Sequence, residues 1–186
     1  SSPFKTVGDL IEYAKANPGE LRWANPGNGS IHTMGGRVFQ TSNGITAQGV
    51  PFKGGGAARV AIAGEQVDFG FVGIQLIAGF ESKLRALAVT SGSPDSVYPD
   101  VPTMEQLGLP QMTVSNPVLV YGHKDIPADV VTKMRSAIEN IASSDDFQQM
   151  VRKNGVEGVY LDIAAVDERM KALADAVAPV LEATPN

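Results

Sequence analysis

Leu21-Arg22-Trp23-Ala24, followed by Asn25-Pro26-Gly27-Asn28-Gly29-Ser30, decides the fold of this chain. The first four residues read as a short apolar strand. The next five form a tight loop, since Pro and two Gly cannot continue a strand and Gly lets the backbone bend sharply. Ser30 then caps a helix over about 31–42, with Ile31, Met34 and Val38 on its apolar face and Phe39 beside it. A strand that turns through glycines into a capped helix is the first half of a β-α-β unit.

The same alternation runs outward on both sides. Residues 6–17 predict a helix, with Thr6 as N-cap, Asp9 three places on, and Val7, Leu10, Ile11 and Ala14 on one face; Asn17-Pro18-Gly19 ends it. Downstream, Ile45–Val50 predicts a strand, Pro51-Phe52-Lys53-Gly54-Gly55-Gly56 a loop and Ala57–Ala63 a short helix. Gln66–Phe71 predicts a strand, 74–80 a short helix, and Leu84–Thr90 a strand apolar enough to be buried on both faces. Strands alternating with helices through short loops make an α/β architecture with a mostly parallel sheet. After residue 91 the chain is loop-rich, with a short helix expected at Thr103–Leu107 and a strand at Pro117–Gly122. It then becomes mostly helical, over 127–143, with Val130, Val131, Met134, Ile138 and Ile141 expected to face inward, and over 145–154 and 164–181.

Composition narrows the function classes. The chain of 186 residues carries 15 Lys and Arg against 20 Asp and Glu, a formal charge of −5, with no basic cluster. Phosphate backbones and anionic membranes need such a cluster, so neither is an expected partner. The absence of Cys removes disulfides, thiolate metal sites and thiol catalysis. Only two His are present, His32 and His123, far apart and without an Asp/Glu cluster, so no metal site is expected. Ser30 and His32 suggest a hydrolytic pair, but two residues apart on a helix they diverge, and no G-x-S-x-G elbow is present.

The candidate site lies where the strands end. Asn25, Gly27, Asn28, Gly29 and Ser30 open a helix whose first N–H groups, with the Ser30 hydroxyl, suit a carboxylate or phosphate. The alternative is a glycine-rich turn with a helix cap and nothing bound. Parallel strands place their C-terminal loops on one edge, so the loop around Lys53 and the loop Phe71-Val72-Gly73 belong to the same edge. Lys53 there is either a positive charge for the site or a solvated turn residue. Asp68 reads as half of a structural ion pair with Arg59 or Lys53.

At these loops a family resemblance emerges. Ser2-Pro3-Phe4-Lys5-Thr6, Asp9-Leu10 and Ala14-Lys15-Ala16-Asn17-Pro18-Gly19 resemble the start of the second lobe of Bug-type (TctC-like) receptors, the solute-binding proteins of tripartite tricarboxylate transporters. Gly27-Asn28-Gly29-Ser30 with His32 resembles their glycine loop, Val50-Pro51-Phe52-Lys53-Gly54-Gly55 their Val-Pro-Tyr-Lys-Gly-Gly, and Gly64-Glu65-Gln66-Val67-Asp68 their Gly-Gly-Gln-Val-Asp. Lys83–Thr90, Pro99-Asp100-Val101-Pro102-Thr103 and Gly108-Leu109-Pro110 continue the likeness in order and spacing.

The resemblance implies a periplasmic receptor of the type II binding-protein fold that captures a small carboxylate for membrane transporter subunits. It implies no enzyme, no cofactor and no nucleic acid. Residues 1–116 would be the second α/β lobe, and 117–186 the C-terminal, mostly helical part of an incomplete first lobe. The implied ligand residues are Asn25, Gly27, Asn28, Gly29, Ser30, Phe71, Val72 and Gly73. Two departures bear on the ligand. The family's Ser positions after Ala24 are Asn25 and Pro26 here, and its Tyr before Lys53 is Phe52. Two rival classes are a ligand-sensing domain of a regulator, which shares the fold, and an α/β hydrolytic enzyme using Ser30 and His32. The family's N-terminal stretch is not in this sequence. The segment after 116 is therefore expected to repack on the α/β lobe, to pair with a second chain, or to be weakly ordered.

Overall fold

Helix α1 (Val7–Ala16) begins where two side chains satisfy its first N–H groups. The Thr6 hydroxyl accepts from the Asp9 N–H at 3.1 Å, while the Asp9 carboxylate accepts from the Lys5 and Thr6 N–H groups at 2.8 and 2.9 Å. Those backbone donors, Lys5 first, hold the Asp9 carboxyl below its ordinary value. The computed structural model describes residues 2–114, 118–154, 156 and 158–182. Three strands follow, β1 (Arg22–Asn25), β2 (Gln48–Pro51) and β3 (Phe69–Gly70), in the order β2-β1-β3 and all parallel.

Helix α2 (Ile31–Asn43) connects β1 to β2, and α3 (Gly55–Ala63) connects β2 to β3. They cover opposite faces. Trp23 and Phe69 lie in one core with Val38 and Phe39 of α2 and with α1, whereas Ala24 lies in a second core with Ala58 and Ala61 of α3. Successive strand residues point to opposite faces, so one residue of β1 separates the two cores. The stripe that α2 buries is Thr33, Gly35, Gly36, Val38 and Phe39; Ile31 and Met34, expected there, are only half-buried. The cause is Trp23: a Cβ on Gly36 would stand 2.4 Å from its ring, so the indole occupies the volume a larger helix residue would take.

Several expected elements take another form. Leu84–Thr90 is not a ladder strand; only Val89 bridges, in parallel, to Thr103. β1 already has a neighbour on each side, and Leu87 and Ala88 meet the core as individual side chains. The helix expected at 74–80 is a 3-10 turn over Ile74–Ile77, and 104–108 forms turns rather than a helix. Of the strand expected at 117–122, residue 117 lies outside the described residues; the rest is unpaired, and Val118, Val120 and Tyr121 are exposed. Asp68 accepts the Arg22 N–H at 2.7 Å, so its partner is the backbone of β1 and not Arg59 or Lys53.

The last third consists of α4 (Ala128–Ala142), α5 (Asp145–Lys153) and α6 (Ile163–Glu182). α6 packs on α2, and Val177 reaches the first core, so this helix does lie on the α/β lobe. α4 packs on α5, and neither helix has a buried residue. Val130, Met134 and Ile141, expected to face inward, are exposed. Among the described residues no helix is long and apolar enough to cross a membrane.

Candidate functional site

The C-terminal ends of β1, β2 and β3 bring residues 25–30, 51–54 and 71–73 to one edge of the sheet, as the parallel pairing requires. The chain leaves β1 toward α2 on one face, but leaves β3 toward a turn packed on α3 on the other. Adjacent strands whose connections diverge open a crevice at their carboxyl ends, the usual ligand position in an open α/β sheet. Phe52 N–H donates to the Asn25 carbonyl at 2.7 Å and ties the loop after β2 to the loop after β1.

The β1 loop is organised around one side chain that the sequence reading passed over. Thr33, fully buried on the first turn of α2, directs its hydroxyl at the Asn25 Oδ1 and at the Gly27 carbonyl, the latter 2.7 Å away. Its Oγ1 also lies 3.0 Å from Ser30 Oγ. A threonine has one hydroxyl proton. With that proton given to the Asn25 and Gly27 oxygens, the Ser30–Thr33 bond takes its proton from Ser30. Ser30 Oγ in turn accepts the Thr33 N–H at 3.2 Å. Asn25 completes the loop, its Oδ1 accepting from Gly27 N–H at 3.0 Å and its Nδ2 donating to Asn28 Oδ1 at 2.9 Å. Gly27 has φ +123°, a conformation strained for any residue with a Cβ. The available signal for Thr33 was a small polar residue three places after an N-cap serine, above an asparagine that ends a strand.

The loop leaves a group of donors unbonded. The N–H groups of Asn28, Gly29, Ile31 and His32 have no protein acceptor among the described residues, and the Asn28 Nδ2 is free beside them. Four N–H groups and an amide at the positive end of a helix dipole suit an anion. Ser30 is a cap whose proton is directed at Thr33; it makes no bond to His32. Ser30→Ala is expected to cost about 0.5–2 kcal/mol as the loss of a helix cap. Thermal unfolding will check it; an unchanged midpoint would remove the capping role.

The other residues expected at the site lie in the loops after β2 and β3. Phe71 turns into the first core, 5.5 Å from Phe39 and 6.5 Å from Trp23 between ring centroids. Val72 packs against the second core, and Gly73 precedes the 3-10 turn. Lys53 is exposed. Gly54, at φ +86°, opens α3 without a side-chain cap.

His32 is half-buried, and desolvation holds its imidazole below the ordinary value of 6.5. Folding therefore favours the neutral ring. This contribution is complete above pH 6.5 and is lost as pH falls through the lowered folded value. Unfolding midpoints are expected to fall between pH 8 and pH 5, and His32→Gln to flatten that decline. An identical decline in the variant would assign it elsewhere. Among the described residues no three His, Asp or Glu side chains converge to hold a metal ion. A shallow cleft of about 290 Å³, lined by Ser96, Val97, Gln148, Arg152 and Gly158, shares no residue with the strand-end site.

Comparison with known proteins extends over nearly all of the chain. Residues 1–180 match the family described as "Tripartite tricarboxylate transporter family receptor". A UPF0065 protein from the TAR-I ttuE-ttuC' intergenic region of Agrobacterium vitis is 28% identical over 185 residues, covering 95% of this chain and 53% of that protein. Protein BugT of Bordetella pertussis is 28% identical over 170 residues, covering 90% of this chain and 51% of BugT. The chain spans about half the length of the curated relatives it matches. Among solved structures, MatC of Rhodopseudomonas palustris with bound malate superposes with a TM-score of 0.75 at 23% identity, over 94% of this chain and 63% of MatC. Rpa4515 of R. palustris with adipate gives 0.72 at 21%, over 98% and 60%, and the periplasmic binding protein BugD 0.73 at 24%, over 97% and 62%. At these identities the structures show a shared fold.

Proposed function

The chain belongs to the tripartite tricarboxylate transporter receptor family, and from that premise we propose that it is the ligand-gripping part of a periplasmic receptor that captures a small organic carboxylate for its membrane transporter. The observation that carries this reading is the cluster of free donors on the β1 loop: four N–H groups and the Asn28 amide without acceptors among the described residues, at the crevice where the connections from β1 and β3 diverge. A carboxylate supplies the acceptors those donors lack. The malate and adipate bound by MatC and Rpa4515 belong to the chemical class expected here.

In this reading residues 1–116 are the second lobe and 117–186 contribute to the first, with α6 also packed on α2 of the second. The exposed Val130, Met134 and Ile141 of α4, with Val118, Val120 and Tyr121 before it, support the division, since a large apolar face is ordinarily covered. In the chain alone the same face is expected to drive self-association, to be read by sedimentation.

Titrating the chain with malate and with adipate, while following its amide resonances, tests the site. The expected shifts lie at Asn28, Gly29, Ile31 and His32. No response to either dicarboxylate at millimolar concentration, or shifts confined to other segments, would overturn the assignment.

A further inference from the structure

Arg59, on the second turn of α3, makes a contact that the sheet topology does not require. Its Nη1 donates to the Leu76 carbonyl at 3.4 Å, and its guanidinium carbon stands 4.2 Å from the centroid of the Phe80 ring. Its Nε is buried with no hydrogen-bond partner, and no ion pair among the described residues includes it. A buried donor left unbonded is a cost, and a cation without a carboxylate forgoes the usual return. Both contacts that the side chain does make fall on the segment after β3.

That segment is closely fitted to α3. A Cβ on Gly55 of α3 would lie 2.8 Å from the Leu76 Cδ1. The Leu76 N–H donates to the Gly73 carbonyl at 3.0 Å, so what holds Leu76 also holds the backbone of Gly73. A guanidinium suits this task better than an ammonium, because it can lie flat on a ring while its N–H fork reaches a carbonyl.

We propose that Arg59 is a positioning residue for the ligand site: by clamping Leu76 and Phe80 to α3, it sets where the backbone of Phe71–Gly73 stands opposite the Asn25–Ser30 loop. The proposal rests on the site reading given above and adds to it a residue that touches no ligand.

Three variants of the chain test it: Arg59→Ala, Phe80→Leu, which leaves Arg59 in place, and Arg59→Lys, which keeps the charge without the planar fork. Amide hydrogen exchange at Leu76 is expected to quicken about tenfold in the first two, with the α2 amides unchanged. Malate affinity, read from the amide titration, is expected to fall about three- to tenfold in the first two and by less in Arg59→Lys. Unchanged exchange at Leu76 would overturn the clamp. Faster exchange with unchanged malate affinity would reduce Arg59 to a structural role and overturn the proposal. If the unsubstituted chain does not respond to malate, the site reading fails and takes this proposal with it; that result is separable, because exchange at Leu76 is measured without ligand.

Discussion

Replacing Trp23 by Ala is expected to lower the unfolding free energy by about 3–5 kcal/mol, a large part of the whole stability of an ordinary domain. The indole is buried on the central strand and touches what surrounds it on three sides. A Cβ on Gly36 of α2 would meet its ring at 2.4 Å, a Cβ on Gly49 of β2 would lie 3.3 Å from its Nε1, and Phe71 meets it edge-on. Two glycines facing one indole leave nothing that can collapse into the vacated space, which places the loss toward the upper end of the range. The same geometry predicts a non-additive pair. Gly36→Ala alone should cost about 1–3 kcal/mol by overpacking, and much of that cost should vanish beside Trp23→Ala. Denaturant titrations of the two single variants and the double variant will check this; simple additivity would show that the helix does not rest on the indole.

Thr33→Val is expected to destabilise the chain by about 1–3 kcal/mol while preserving side-chain shape. The valine fills the same buried volume but withdraws the hydroxyl from three oxygens at once: Asn25 Oδ1, the Gly27 carbonyl and Ser30 Oγ. Thr33→Ser should recover most of the loss. The β1 loop should also lose its order, which exchange of the Gly27 and Ser30 amides will report. A valine variant as stable as the parent, with those amides equally protected, would show that Asn25 and Ser30 hold the loop unaided.

How much of this was legible in the sequence differs from element to element. Helix α1 was legible to within a residue, because Thr6 and Asp9 are a local signal that needs no tertiary partner. The three strand-end loops were legible as a set, since parallel pairing follows from helices placed between strands. Leu84–Thr90 misled because an apolar run reports burial and not pairing: it carries the composition of a central strand in a sheet whose central position β1 already holds. The apolar face of α4 was legible too, but a periodic pattern names no partner, and nothing among the described residues buries it. In the site, Asn25 and Ser30 announced themselves as turn and cap residues. Thr33 did not, because its importance comes from depth beneath the loop, which no local spacing records.

The order β2-β1-β3 also decides what must happen first when the chain folds. β1 pairs with both other strands, and each ladder spans a helix: one closes across α2, and the other across α2, β2 and α3 together. Closing the longer loop costs little more than closing the shorter, about 0.6 kcal/mol for each doubling of length. Neither closure is rewarded until β1 is in place, so the central strand is the rate-setting piece for both. Substitutions in β1 should therefore slow refolding, whereas those in α6, which docks on α2 from outside the sheet, should mainly hasten unfolding.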